Sequence, residues 1–99
     1  MKLYREIEKI MPIIEDSLTA ESFEEFKYTR VSDLCFYHFG LGTFIRNNFS
    51  YNKDSILLDL FLEHGVTDED EMSAFIIRVF HYHSTKYDEI SKVRNPYSY

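Results

Sequence analysis

Residues Phe36-Tyr37-His38-Phe39-Gly40-Leu41-Gly42-Thr43-Phe44-Ile45-Arg46-Asn47-Asn48-Phe49 set two glycines and an Arg-Asn-Asn triplet inside an apolar segment. Leu34, Tyr37, Leu41, Phe44, Ile45 and Asn48 follow helical spacing, and Cys35, Phe36 and Phe39 supply a second apolar face. The pattern predicts a central helix capped by Ser32 or Asp33, reaching about Asn48 and covered by neighbours on two sides. A glycine inside such a helix costs about 0.5–1 kcal/mol relative to alanine. Gly40 and Gly42 are therefore expected where a neighbouring helix packs close. They do not form a phosphate loop, because a dinucleotide fingerprint needs a third glycine after a strand and a P-loop ends in Gly-Lys-Ser or Gly-Lys-Thr.

Helical patterning extends outward on both sides of this segment. Leu3, Ile7, Ile10 and Ile14 make one stripe of a first helix from Lys2 to Asp16, with Pro12 placed to kink or restart it. Ser22 and Glu25 have capping-box form and predict a short helix that carries Phe23 and Phe26 and ends near Tyr28 or Thr29. Asp54 or Ser55 caps a fourth helix bearing Ile56, Leu57, Leu60 and Phe61, with Gly65 as its C-terminal cap. Asp68, Glu69, Asp70 and Glu71 form an acidic first turn, favourable to the helix dipole, of a fifth helix. Met72, Phe75, Ile76, Val79, Phe80 and His83 make its expected buried stripe. Periodicity fades beyond Lys86, and residues 95–99 read as a tail. No strand alternation, repeat or linker competes, so an all-α bundle of four to five helices in one domain over residues 1–94 is expected.

Composition narrows the function classes. Ninety-nine residues with 44% hydrophobic content allow one compact core, and nine Phe and eight Tyr supply its bulk. A net charge of -6 argues against nucleic acid as a partner, since phosphate neutralisation dominates that affinity. No apolar run approaches the roughly 20 residues that span a bilayer, and the N-terminus lacks a signal-like apolar region. A cytoplasmic, membrane-free protein is expected. Cys35 is the single cysteine, which excludes an intrachain disulfide. Its apolar neighbours argue against a reactive thiol.

Candidate polar residues cluster around the central helix. Arg46 lies where the helix is expected to be covered, and a buried arginine is expected to need a carboxylate partner. The acidic turn Asp68, Glu69, Asp70 and Glu71 is the expected source, through a carboxylate that takes two parallel hydrogen bonds. Asn47 and Asn48 are expected to end the helix and satisfy its last carbonyls. His81 and His83 stand two apart, about 200° around a helix. His38 and His64 stand alone, and the His-Glu-x-x-His zinc motif is absent. Neither a metal site nor a cofactor is expected, and no catalytic residue stands out.

The blocks His38-Phe39-Gly40-Leu41-Gly42, Ile45-Arg46-Asn47-Asn48-Phe49, Gly65-Val66 and Asp68 through Ser73 together resemble a family of small bacterial proteins known only as a domain of unknown function. The likeness spans roughly Asp33 to His83. This chain has Phe44 and Phe49 where tryptophans are common in that family, and no proline ahead of Asp70. The resemblance implies an all-helical cytoplasmic protein in which His38, Arg46, Asn47, Asn48, Asp70, Met72 and Ser73 converge. It implies no reaction.

The leading expectation is a non-catalytic protein-binding module, acidic like the bacterial immunity and antitoxin proteins that mask basic toxin domains. An alternative is a small-molecule-binding or enzymatic site around His38 and Arg46, which requires both side chains to enter one pocket. A third is a homodimer formed through Tyr51, Tyr82, Tyr97 and Tyr99.

Overall fold

The structure is a computed structural model that describes the backbone of residues 2–50 and 56–94, and side-chain surroundings within 2–49 and 56–85. Its described residues form helices joined by short turns and loops, with no strand among them. Helix α1 spans Lys2–Asp16 without interruption, and Pro12 is carried on its exposed side. The missing proline N–H costs one backbone bond. Burial of Leu3, Ile7 and Ile14, with Ile10 and Met11 packed beside them, holds the helix in place. Each such apolar side chain contributes about 1.5–3 kcal/mol on leaving water.

Helix α2 spans Ala20–Lys27, starting earlier than the Ser22 capping box predicts. Thr19 is the cap: its hydroxyl accepts from the Ser22 backbone N–H at 3.0 Å, and its carbonyl accepts from Phe23 N–H at 2.9 Å. Threonine and serine are both cap-forming types, so local sequence left two starting points open. Starting at Ala20 puts nearly two turns of helix ahead of Phe26. That ring is wholly buried, stacked on Phe80 at 5.1 Å and edge-on to Tyr37 at 4.9 Å.

The predicted central helix is not continuous. Residues Val31–Tyr37 form a 3-10 helix, a turn follows at residues 38–40, and helix α3 occupies only Leu41–Ile45 before widening into a π turn at Arg46–Ser50. A 3-10 helix stacks every third residue on one line. Leu34 and Tyr37 take the inward part of that line, buried and half-buried, while Val31 at its start and Phe36 and Phe39 off it are 68%, 78% and 85% exposed. The expected cover over Cys35, Phe36 and Phe39 is therefore absent. The expectation of neighbours on two sides fails here: among the described residues the segment is packed on its Leu34 and Tyr37 side alone.

Helix α4 spans Ile56–Glu63 and buries Leu57, Leu60 and Phe61. Its predicted cap residues Asp54 and Ser55 lie outside the described residues. At its end Gly65 has φ of +80°, Val66 N–H reaches the Phe61 carbonyl at 2.9 Å, and Gly65 N–H reaches Leu62 at 3.1 Å. This is the Schellman arrangement that a glycine after the last turn allows. Helix α5 spans Glu69–Arg94, with the Asp68 side chain accepting from Asp70 N–H at 3.1 Å.

Helix α5 is the spine of the fold, in contact with α1, α2, the 3-10 helix, α3 and the π turn, while α4 packs on α1. Because it is covered on more than one side, it buries a wider face than one stripe: Met72, Ile76, Val79 and Phe80, and also Ser73, Ile77 and His81. His83, expected inside, is only partly covered and lies 3.6 Å from Glu8. Two residues further on than His81, it turns toward α1. One apolar core joins the buried residues of all these elements. No helix among the described residues is long and apolar enough to cross a membrane.

Candidate functional site

Arg46 organises the polar centre of the molecule. It leaves the last turn of α3 and is 7% exposed. Its guanidinium donates to Ser73 Oγ, to the His38 carbonyl and to Thr43 Oγ1, each at 3.0 Å, and lies 3.4 Å from His38 Nδ1. The nearest carboxylate oxygen, Asp70 Oδ1, is 3.7 Å away on a side chain that is 59% exposed. The expected buried carboxylate fork is replaced by a cradle of neutral oxygens with one rim carboxylate. Neutral oxygens can serve here because a guanidinium is a donor only, and each accepts one of its N–H groups.

Gly42 makes this cradle possible. A Cβ built there would stand 2.9 Å from Arg46 Nη1 and 3.3 Å from the Tyr37 carbonyl, against an ordinary 3.7 Å from Ile77 of α5. The close approach predicted from the glycines is thus chiefly that of the chain's own guanidinium. Gly40 faces open space, so it does not mark a packing seam.

His38 bridges the cradle and the surface: its Nε2 is 3.8 Å from Asp70 Oδ1, and its ring is edge-on to Phe39 at 4.9 Å. His38, Arg46, Asp70 and Ser73 are therefore brought together. Asn47 is exposed, and Asn48 donates through Nδ2 to the Phe44 carbonyl at 2.8 Å, serving the helix end although the chain widens there rather than stopping. Asp68 caps α5, and Glu71 is exposed on its first turn.

A groove of about 510 Å³ opens beside this node, between the 3-10 helix and α5. Val31, Leu34, Cys35, His38 and Phe39 form one wall, and Ala74, Ile77 and Arg78 the other. His38 enters it, whereas Arg46 is not among its lining residues. The two side chains do not share a pocket. Cys35 is exposed on the groove wall rather than enclosed by apolar neighbours. Among the described residues no group of three or more His, Cys, Asp or Glu is arranged to hold a metal.

His81 is a structural residue that its sequence context did not single out. It is 5% exposed, its Nε2 lies 2.8 Å from the Thr29 carbonyl, and its ring meets Phe26 edge-on at 5.4 Å. Its place four residues after Ile77 and eight after Ser73 is the signal that would have found it. Of the tyrosines considered for a dimer, Tyr82 is 54% exposed, and Tyr51, Tyr97 and Tyr99 lie outside the described residues.

No curated protein and no solved structure matches this chain. The family model described as a domain of unknown function, DUF6794, matches residues 5–84, a span that takes in most of α1 and the His38–Arg46–Asp70 node, and the chain belongs to that family.

Proposed function

We propose that this protein is a non-catalytic protein-binding module whose docking surface is the groove between Val31–Tyr37 and α5. One observation carries the proposal: Val31, Phe36 and Phe39 are 68%, 78% and 85% exposed beside an apolar groove. Phe39 and Val31 line the groove and Phe36 lies on the same 3-10 helix outside its lining; exposed apolar groups at an apolar groove mark an interaction surface, and aromatic anchors dominate binding energy in such interfaces. The net charge of -6 and the acidic turn at the mouth of the groove favour a basic partner, attracted over distance and released by salt. A bacterial toxin domain masked by a small acidic protein has that chemistry.

The test is direct. The tagged protein is purified from its host, the co-purifying protein is identified, and binding is remeasured with both components pure. The double variant Phe36→Ser, Phe39→Ser is expected to keep its helical circular dichroism and lose binding at least 100-fold, the equivalent of about 2.7 kcal/mol. Raised salt is expected to weaken the wild-type complex. Unchanged affinity in the double variant sinks the proposal.

A further inference from the structure

The two walls of the groove run antiparallel. At one end His81 Nε2 meets the Thr29 carbonyl at 2.8 Å, just ahead of the 3-10 helix. At the other, His38 Nε2 lies 3.8 Å from Asp70, at the start of α5. Leu34 and Ile77 form a dry floor between them, 6% and 3% exposed. The ends differ in charge. The Asp70 end carries the four carboxylates of Asp68, Glu69, Asp70 and Glu71 against the single guanidinium of Arg46. Arg78 lies on the wall two turns further along α5, exposed and with no ion-pair partner among the described residues. Eight residues of helix separate Asp70 from Arg78, about 12 Å at a rise of 1.5 Å per residue.

Resting on the protein-binding function proposed above, we infer that the occupant is an amphipathic α-helix of the partner. Its apolar residues, spaced i, i+3 or i+4, i+7, lie along Leu34 and Ile77 under Phe39. A Lys or Arg at one end meets the acidic turn, and an Asp or Glu two turns away meets Arg78. Helix-in-groove docking needs an apolar trough and flanking charges, both of which this groove has, whereas strand addition needs a sheet edge with free backbone groups. The described residues contain no strand.

Three synthetic 16-residue helical peptides test this, sharing one leucine stripe and differing only at the ends two turns apart: Lys with Glu, Lys with Lys, and Glu with Glu. Binding is read by fluorescence anisotropy and by protection of Cys35, the single thiol, from iodoacetamide. The Lys/Glu peptide is expected to bind tightest by about 2- to 5-fold, the scale of an exposed ion pair, and to protect Cys35. In Arg78→Glu the preference is expected to move to the Lys/Lys peptide. An unchanged ranking in Arg78→Glu overturns the inference, as does a Cys35 that reacts equally fast under saturating peptide. Cys35 protection that rises with protein concentration alone also overturns it, by placing a second copy of this chain in the groove. Loss of the native partner on Phe36→Ser, Phe39→Ser with no peptide binding removes the helix and leaves the docking surface. A partner indifferent to that double variant removes both.

Discussion

Replacing Arg46 by methionine separates a neutral cradle from a buried ion pair. Methionine keeps most of the buried stem, so the change is concentrated at the guanidinium. Two of its acceptors keep other bonds: Ser73 Oγ still donates to the Asp70 carbonyl at 3.0 Å, and Thr43 Oγ1 to the Phe39 carbonyl at 2.7 Å. The His38 carbonyl loses its guanidinium donor at a part-buried site, a cost of up to about 1–3 kcal/mol. Asp70, more than half exposed, returns to water at under about 1 kcal/mol. The expected loss is therefore about 1–3 kcal/mol, below the 3–5 kcal/mol that follows when one partner of a buried pair is removed. At roughly 4–8 °C per kcal/mol for a domain of this size, the midpoint falls visibly in a thermal melt. Urea unfolding of wild type, Arg46→Met, Asp70→Asn and the double variant completes a cycle. A coupling below about 1 kcal/mol is expected between these two residues. A coupling of 3 kcal/mol or more refutes the cradle and restores the ion pair.

Gly42→Ala drives a Cβ against Arg46 and the Tyr37 carbonyl and is expected to cost about 1–3 kcal/mol, whereas Gly40→Ala changes urea stability by less than about 1 kcal/mol. Gly65→Ala forces a side chain onto a φ of +80° and is expected to cost about 1–2 kcal/mol in the same assay, with no change in partner binding. His81→Leu strands the Thr29 carbonyl and is expected to lower stability by about 1–3 kcal/mol; a neutral result shows that the contact at 2.8 Å contributes nothing.

The sequence by itself determined the all-α class, the bounds of α1, the Gly65 cap and the acidic start of α5. Each is a local matter: an apolar period, a residue tolerant of positive φ, or carboxylates near a helix N-terminus. The resemblance to a family implied that His38, Arg46, Asn47, Asn48, Asp70, Met72 and Ser73 converge, and of these the tertiary structure joins His38, Arg46, Asp70 and Ser73 through hydrogen bonds and close charge contacts. Tertiary structure alone decided the form of the stretch from Phe36 to Phe49. Leu34 and Tyr37 turn inward, Tyr37 onto Phe26, within a 3-10 segment that packs on α5, and no described element covers the opposite side, so Phe36 and Phe39 stay at the surface instead of the expected interior. The acidic turn was visible as a source of partners for Arg46, but the side chain is held mainly by a serine, a threonine and a carbonyl on three separate segments. Neutral oxygens are too common in any sequence to be read as partners, and only folding brings these three within 3.0 Å of one guanidinium.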